Sequence, residues 1–314
     1  MYHVTGSISI VIPTKNRGEL LLEAVRSALD VEPRPLEVIV VDGGSTDGSL
    51  ERLDEVGDQI TLLHRELPNA AATRNAGAAI ARGDYLGFLD SDDSMLPGKI
   101  GCLGPALDRD TTLGLVHGRV MVVDAHGGAN PRVTSEQERA FLLGERVGTT
   151  YDGLALICAM FTSATLIRRQ AFEEIGGYDE TVDVYEDLDL YLRLSSGWRL
   201  GYERCLAARY RVWPGNVAWD RTAMGVIRVA EKHLAALPAL TPAAERRARY
   251  GFLRRLAEAN HILVRPFETR RAALAAIRLR PLGAIADRQL RGPLVRSFLP
   301  RALLRRRRPT MPRS

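Results

Sequence analysis

The chain has 314 residues, 46% of them apolar and 26% charged, which is the balance of a globular protein with a substantial core. No run of about 18 apolar residues occurs, so we expect no membrane-spanning helix, and residues 1–7 lack the pattern of a secretory signal. The three cysteines, Cys102, Cys158 and Cys205, are far apart and form no CxxC pair, which argues against a zinc site or a disulfide framework. We therefore expect reduced cysteines and a cytoplasmic setting.

The net charge of +5 is unevenly distributed along the chain. Residues 264–314 contain fourteen arginines and two acidic residues, a charge of +12, which leaves −7 for residues 1–263. An acidic body followed by a basic tail predicts that the tail meets an anionic surface.

The first part of the chain alternates short apolar runs with segments of helical spacing. We predict strands at 8–12, 37–41, 60–64 and 85–89, and helices at 19–29, 49–56 and 70–82. Continuous apolar strands separated by helices are typical of a sheet that is covered on both faces. The predicted fold class is therefore α/β, with a Rossmann-like, mainly parallel sheet flanked by helices.

The second part of the chain is less regular. Residues 113–123 contain strand-like pieces, which we expect Gly114 and Gly118 to break. Residues 129–138 are polar and predict a surface loop. Helices are predicted to start at 168–172, to cover 185–194, and to continue from 217 to about 263.

Polar clusters follow three of the predicted strands at the point where each strand ends. They are Pro13–Arg17, Asp42–Gly44 and Asp90–Asp92. In sheets of this kind, ligands bind beyond the carboxyl ends of the strands, so the clusters predict a nucleotide site. Carboxylates crowded at one strand end also favour a hard divalent cation, although an Asp-rich turn is the alternative.

These segments, together with Arg74–Gly77 and Tyr185–Asp187, closely resemble the family 2 glycosyltransferases of the GT-A fold. The motifs occur in the family's order over roughly residues 7–217. The resemblance implies a catalytic domain over about residues 1–220, with a nucleotide-binding half to about residue 95 and an acceptor half after it. Residues 221–314 are then a helical, Arg-rich C-terminal extension.

The resemblance also implies which residues bind a nucleotide-sugar donor, which we expect to be a UDP-sugar. Asp42 is expected to bind the uracil edge and Asp90 the ribose, while Gly43 and Gly44 leave room for the nucleotide. Arg74 is expected to face the base or the phosphates; the alternative for a lone arginine is a solvated helix cation. The full expected set is Pro13, Thr14, Asn16, Arg17, Asp42, Gly43, Arg74, Asp90 and Ser91.

The same resemblance assigns the metal and the catalytic base. Asp92, with Asp90 beside it, is expected to bind Mg²⁺ or Mn²⁺, which stabilises the departing diphosphate. Asp93 is expected to be a helix cap, and the alternative is a hydrogen-bond acceptor that supports the metal site without touching the metal. Asp187 is expected to be the base that takes the acceptor's proton, with Glu186 in support. The alternative is that both acids simply favour the first turn of a helix.

One position departs from the family's pattern. Many relatives have a histidine in an Arg-x-His-x-Gly-Asn segment after the base helix, where this chain has Trp213. An indole N–H is a donor and cannot ligate a metal. We therefore expect Trp213 to contact a sugar ring or the acceptor instead.

Residues 264–314 lie beyond the resemblance. They mix leucine, isoleucine and phenylalanine with arginine, a pattern typical of basic amphipathic helices at an anionic membrane surface. A free basic tail is the alternative, and no motif suggests nucleic acid as a partner.

The sequence therefore predicts a metal-dependent, inverting glycosyltransferase. It would transfer a sugar to a hydroxyl of a glycan or lipid-linked acceptor in cell-surface polysaccharide synthesis, at the inner face of the membrane. A non-catalytic GT-A scaffold that binds nucleotide or glycan is the main alternative. A nucleotidyltransferase is disfavoured because Pro13–Arg17 lacks the glycines of a phosphate loop.

Overall fold

A computed structural model of the protein describes residues 4–128, 149–212 and 219–299. The chain forms two compact units, which we call the sheet unit (residues 1–145 and 159–212) and the helical unit (residues 146–158 and 213–314). The predicted boundaries near residues 95 and 220 stay predictions.

Eight strands form one sheet in the sheet unit. They are β1 (Ile8–Thr14), β2 (Glu37–Asp42), β3 (Thr61–His64), β4 (Tyr85–Phe88), β5 (Ser94–Met95), β6 (Leu113–Val123), β7 (Thr165–Arg168) and β8 (Arg199–Arg211). Their order across the sheet is β3-β2-β1-β4-β7-β6-β8-β5. The N-terminal half, β1 to β4, is entirely parallel, as predicted. The other half is mixed, because β7 runs antiparallel to both β4 and β6.

Helices cover the sheet. In the sheet unit they are α1 (Glu19–Leu29), α2 (Ala70–Ile80), α3 (Lys99–Arg109), α5 (Arg169–Glu174) and α6 (Glu186–Leu194). Helix α2 approaches the sheet closely at Gly77, where an added Cβ would lie 2.4 Å from a methyl of Val11 and 2.9 Å from one of Val41. Only a glycine fits this contact, which holds Arg74, one turn earlier, against the sheet.

Several predicted elements differ from those in the structure. Residues 113–123 form one strand rather than separate pieces, although its register with β8 shifts at Gly114 and at Gly118, where the missing side chains leave room for neighbouring atoms. Strands β5, β7 and β8 were not predicted. The predicted helix at 49–56 is a 3₁₀ turn at Glu51–Glu55.

The expectation of three reduced cysteines is wrong for two of them. Cys102 on α3 and Cys205 on β8 form a disulfide, although 103 residues separate them in sequence. The pairing arises because α3 packs against β8. Since the cytoplasmic setting rested on unpaired cysteines, that setting stays a prediction without this support.

The helical unit contains α4 (Tyr151–Leu156), α7 (Trp219–Ala235), α8 (Pro242–Ile262), α9 (Pro266–Leu279), α10 (Pro281–Ala286) and α11 (Arg288–Arg296). Helix α8 holds the C-terminal end of α4, where Arg254 and Arg255 donate to backbone carbonyls that the helix leaves unpaired. Arg247 also donates to Asp152 over 2.5 Å. Within the described ranges, no helix has the length and apolar character needed to span a membrane.

Candidate active site

The parallel register brings the predicted strand-end clusters to one edge of the sheet. Thr14 at the end of β1 pairs with Asp42 at the end of β2, and Val11 pairs with Phe88 on β4. The backbone N–H of Gly43 donates to the Thr14 carbonyl over 2.9 Å. The segments that start at Pro13, Asp42 and Asp90 therefore leave the sheet side by side.

The loops after β1 and β2 hold each other. The Asn16 N–H donates to Ser45 Oγ over 2.9 Å, and Asn16 Oδ1 accepts from the Thr46 N–H over 2.8 Å. Asn16 has the left-handed backbone conformation, with φ of 54°, which asparagine tolerates better than most residues. Its side-chain oxygen is thus used inside the protein, and the predicted donor contact stays a prediction.

Asp42 is completely buried at this edge. Its carboxylate accepts hydrogen bonds from the backbone N–H groups of Gly44 and Ser45, from Ser45 Oγ and from His64 Nδ1. Burial raises the pKa of Asp42, but these hydrogen bonds outweigh it, so the pKa lies below its usual value. The predicted contact with uracil remains a prediction, and nothing of the Asp42 side chain is exposed in this structure.

Arg74 is buried and joins two acidic residues. Its guanidinium donates to Asp90 over 2.6 Å and to Glu186 over 2.7 Å, and it lies 5.3 Å from the ring centre of Tyr178. Burial alone would lower the pKa of Arg74, but the acidic partners raise it well above its ordinary value. The alternative of a solvated helix cation is wrong. A predicted nucleotide residue and a predicted base residue are thereby linked through one side chain.

Asp92 lies two residues after Asp90, and its carboxylate is mostly buried. The Arg17 guanidinium is 3.5 Å from that carboxylate. Burial raises the pKa of Asp92, and the charge of Asp90 adds to this effect. Such a carboxylate is a place where a divalent cation would relieve unfavourable charge.

The number of carboxylates at this edge fits a metal ion that is bound partly by the protein and partly by the donor's diphosphate. No group of three or more potential ligand side chains occurs in the part of the chain that the structure describes. Mg²⁺ is commonly held by one or two carboxylates plus substrate phosphates rather than by a protein cage. Asp92 and Asp90 are two carboxylates of this kind, and their role as metal ligands stays a prediction.

Asp93 is not a helix cap, contrary to prediction. The next helix begins six residues later at Lys99, and the Asp93 carboxylate is buried. It accepts from Ser163 Oγ over 2.5 Å and from the Arg211 N–H over 2.9 Å. Burial raises the pKa of Asp93 well above its usual range, and Asp90 raises it further. Asp93 therefore ties the loop that carries Asp90 and Asp92 to Ser163 and to the end of β8.

A buried lysine supports the same loop. Lys99 Nζ donates to the Ser163 carbonyl over 2.9 Å, and Ser163 Oγ accepts from the Asp90 N–H over 3.1 Å. Burial lowers the pKa of Lys99 to about 7, although Asp90 and Asp93 act in the opposite direction. The loop thus rests on a buried polar network rather than on apolar packing alone.

Arg211, the last residue of β8, contacts the loop at several points. Its guanidinium donates to the Asp92 carbonyl over 3.1 Å and to both oxygens of Glu23 over 2.8 and 2.9 Å. It also reaches the Ala125 carbonyl over 3.2 Å. The end of β8 is therefore tied to the backbone of the residue that we expect to bind the metal.

The predicted base lies at the start of α6. Tyr185 caps the helix in the left-handed conformation, with φ of 68°, and Glu186 and Asp187 occupy its first turn. Burial raises the pKa of Asp187 to about 7, and the charge of Glu186 contributes to the same shift. Both acids also lie in the first turn of α6, where the helix dipole favours negative charge. The role as a base and the purely structural role are therefore both compatible with this position.

The remaining predicted residues have different environments. Pro13, Thr14, Gly43 and Ser91 are buried. Thr14 Oγ1 is buried without a hydrogen-bond partner among the described residues, which leaves a polar atom available at this edge. Trp213 lies outside the described residues, so its predicted sugar or acceptor contact stays a prediction.

Lys99, Ser163 and His64 were not predicted to belong to the site, and Arg211 was given no role. Lys99 had a readable signal, because it begins the apolar stripe of α3 that continues with Leu103, Ala106 and Leu107. A lysine on such a stripe is buried and needs a partner. Ser163 and His64 had no comparable signal, since their partners are distant in sequence.

Comparison with known proteins identifies the family. The model of the family described as glycosyl transferase family 2 matches residues 9–176, which is more than half of the chain. The chain belongs to glycosyl transferase family 2. The resemblance inferred from the motifs is therefore confirmed.

Curated relatives of this family 2 protein match about three fifths of its length. The pre-mycofactocin glycosyltransferase of Mycobacterium tuberculosis is 35% identical over 203 residues, covering 62% of this chain and 41% of its own length. The succinoglycan biosynthesis protein ExoU of Rhizobium meliloti is 31% identical over 210 residues, covering 61% and 58%. The chain thus spans less than two thirds of the length of each.

Solved structures confirm the fold. S. aureus TarS 1-349 in complex with UDP-GlcNAc superimposes with a TM-score of 0.64 at 16% identity, covering 95% of this chain and 90% of that one. Mannosyltransferase PcManGT from Pyrobaculum calidifontis, in complex with GDP-Man and Mn²⁺, gives a TM-score of 0.60 at 18% identity, covering 95% and 82%. The predicted GT-A architecture is therefore confirmed.

Proposed function

We propose that this protein is a metal-dependent, inverting glycosyltransferase that uses a nucleotide-diphosphate sugar. The observation that carries the proposal is the convergence of Asp90 and Glu186 on the buried guanidinium of Arg74, with Asp92 and Asp187 as their chain neighbours. Arg74 thereby joins the segment predicted to bind the donor to the segment predicted to contain the general base.

Asp187 is the proposed general base. Inverting transfer needs one carboxylate to take the proton from the acceptor hydroxyl as that oxygen attacks the anomeric carbon. It needs no carboxylic acid for the leaving group, unlike glycoside hydrolysis, because a diphosphate leaves as an anion. The raised pKa of Asp187 suits proton transfer near neutral pH. Glu186, fixed by Arg74, orients the first turn of α6 and the acceptor.

Asp92 and Asp90 are the residues that would hold Mg²⁺ or Mn²⁺. When bound, the metal would supply positive charge to the donor diphosphate and stabilise the leaving group. The buried contacts of Asp93 and Arg211 keep the backbone of this loop in place, so that its carboxylates need little rearrangement on binding.

The donor and acceptor classes draw support from the relatives. TarS is described in complex with UDP-GlcNAc and PcManGT with GDP-Man, so both are nucleotide-sugar proteins. ExoU is described as a succinoglycan biosynthesis protein. We propose a UDP-sugar as donor, and a hydroxyl of a growing polysaccharide or a lipid-linked glycan as acceptor.

A donor panel with metal control tests the proposal. We expect Mn²⁺-dependent hydrolysis or transfer with a UDP-sugar, and loss of activity on adding EDTA. The Asp92→Ala substitution is expected to raise the Mn²⁺ concentration for half-maximal activity at least about tenfold, since even indirect partners of a metal contribute that much. Asp58→Ala, at an exposed position, is the matched control. Nucleotide binding without transfer to any acceptor would favour the non-catalytic scaffold instead.

The helical unit supports a second proposal, contact with an anionic membrane surface. Exposed apolar side chains occur along its last helices, with Phe267 66%, Leu282 85% and Val295 69% exposed. Exposed arginines lie among them, at positions 265, 271, 278, 288 and 291. Apolar side chains that can insert between lipids, flanked by arginines that meet anionic headgroups, are typical of interfacial helices.

Liposome sedimentation tests this contact. The double substitution Phe267→Ser with Leu282→Ser is expected to lower the fraction bound to anionic vesicles at least about tenfold, since each buried apolar side chain contributes roughly 1.5–3 kcal/mol. Binding of the unaltered protein should also weaken as salt rises. The matched control is Leu62→Ser, an exposed leucine of the sheet unit. Equal sedimentation of the double variant and the unaltered protein would remove the proposal.

A further inference from the structure

The disulfide between Cys102 and Cys205 joins the first turn of α3 to β8. The Cys102 N–H donates to the Gly98 carbonyl over 3.0 Å, so this cysteine belongs to the turn that begins the helix. Both cysteines are half-buried. A thiol from solvent can therefore reach the bond, and accessible disulfides are the ones that exchange readily.

Cys205 lies in an irregular part of β8. Residues 203–205 lie opposite Gly118 alone, because the pairing of β6 with β8 shifts at this point. An added Cβ on Gly118 would lie 2.9 Å from the Cys205 carbonyl oxygen, so the bulged segment packs closely against β6. A bulge leaves residues outside the ladder of strand hydrogen bonds. The disulfide therefore connects α3 to a part of β8 that strand pairing holds less tightly.

The turn of α3 that contains Cys102 also contains Lys99. Lys99 Nζ donates to the Ser163 carbonyl over 2.9 Å. Ser163 Oγ accepts from the Asp90 N–H and donates to the Asp93 carboxylate, at the two ends of the loop from Asp90 to Asp93 (the carboxylate loop). Because Lys99 is completely buried, it keeps its partner only while this turn stays in place. The disulfide and the carboxylate loop are thus linked through one helical turn.

We propose that this disulfide is a redox-sensitive switch that positions the carboxylate loop. The inference rests on the proposed role of Asp90 and Asp92 at the metal. In the oxidised protein the S–S bond holds the first turn of α3 against β8. A dithiol reductant supplies two electrons and two protons, so that Cys102 and Cys205 become thiols and the reductant becomes a disulfide. The turn then holds the loop less firmly, and the metal and the donor diphosphate bind more weakly.

Peptide mapping by mass spectrometry tests whether the bond forms. After incubation of the full chain with oxidised glutathione, we expect a linked pair of peptides that contain Cys102 and Cys205. This pair should disappear on reduction. Recovery of both cysteines only as thiols or as glutathione adducts would overturn the proposal.

Calorimetry with UDP at a fixed Mn²⁺ concentration tests the effect on the site. The oxidised chain is compared with chain that has been reduced with dithiothreitol and desalted without oxygen. We expect the reduced chain to bind UDP at least about fivefold more weakly, the lower end of typical coupling between two sites. Cys102→Ser and Cys205→Ser should each show the same loss without reductant. Cys158→Ser, which alters the cysteine outside the disulfide, should behave as the unaltered chain does in both states.

Melting temperatures separate the switch from a bond that only stabilises the fold. Reduction is expected to lower the melting temperature in either case, because a disulfide restricts the unfolded chain. A lower melting temperature with the same UDP affinity at 25 °C would overturn the proposal. If the serine variants do not fold, the comparison of the oxidised and reduced unaltered chain still decides the matter.

Lys99→Met tests the route from the disulfide to the loop. This variant should weaken UDP binding in the oxidised chain, and reduction should then add less than about a further twofold, because both changes act on the same contact. Ser163→Ala replaces it if Lys99→Met is unfolded. Losses that simply multiply would contradict the route through this turn.

The outcomes distinguish this inference from the proposed function. Mn²⁺-dependent UDP binding that is equal in the oxidised and reduced chain would overturn the switch and leave the proposed function intact. If the oxidised, unaltered chain bound no UDP in the presence of Mn²⁺, the proposed function would fail and this inference with it.

Discussion

Replacing Asp187 with asparagine is expected to lower kcat about a thousandfold, because a general base contributes roughly 10²–10⁴ to the rate. Asparagine has nearly the same shape as aspartate but cannot take a proton at neutral pH. The KM for the donor is expected to change less than about threefold, since the lost interaction acts only in the transition state. Steady-state transfer assays with the preferred UDP-sugar measure both constants.

The pH profile provides an independent check. Because burial and Glu186 raise the pKa of Asp187 to about 7, kcat/KM should rise about tenfold per pH unit below that value and level off above it. The asparagine variant should lose this acidic limb. A raised pKa also means that the fold favours the protonated side chain, so ionised Asp187 destabilises the protein as pH rises. The variant should therefore melt no lower than the wild type at pH 8.

The control for these measurements is Glu173→Gln, which removes an exposed acid in the sheet unit that forms only a 4.0 Å ion pair with Arg169. It should leave kcat and the pH profile unchanged. Full turnover in the Asp187→Asn variant would exclude Asp187 as the base.

The N-terminal half of the fold was predictable because its strands are buried on both faces. Strand β1 is buried at all seven positions, so it reads as a continuous apolar run. Strand β8 was missed for the opposite reason. Most of its early positions are partly exposed, and arginines at 199, 204, 209 and 211 hide any alternation. Gly114 and Gly118 mark shifts of register within β6 and not its ends, so the prediction of separate pieces was only partly right.

The location of the site was predictable, but its internal contacts were not. Strand-end motifs place Asp42, Asp90 and Asp92 at one edge of a parallel sheet, as observed. The partners of Arg74, however, lie 16 and 112 residues away along the chain. Pairings at such separations depend on how the helices and strands pack. The Cys102–Cys205 bond was missed for the same reason, since connectivity does not follow from spacing.

Arg74→Met is expected to cost about 3–5 kcal/mol of folding stability, the usual consequence of removing one partner from a buried ion pair. Arg74 is 6% exposed, and its loss leaves the carboxylates of Asp90 and Glu186 without their shared cation. Arg74→Lys should lose nearly as much, because one ammonium cannot replace a guanidinium that donates from two nitrogens in fixed directions. Chemical denaturation monitored at pH 8 measures both.

The matched control is Arg82→Met, which breaks an ion pair with Glu37 whose arginine is 73% exposed. Such a pair contributes only about 0–1 kcal/mol. A loss in Arg74→Met no larger than in Arg82→Met would contradict the proposed role of Arg74.

A second substitution identifies the cause of the expected loss. If Arg74 acts by neutralising carboxylates, Glu186→Gln should restore part of the stability in the Arg74→Met background, while destabilising the protein when Arg74 is present. The acidic limb of the pH profile should also move upward in Arg74→Met, because the positive charge of Arg74 lowers the pKa of Asp187. The buried guanidinium of Arg74 would then contribute both to the folding stability of the site and to the pKa of the general base.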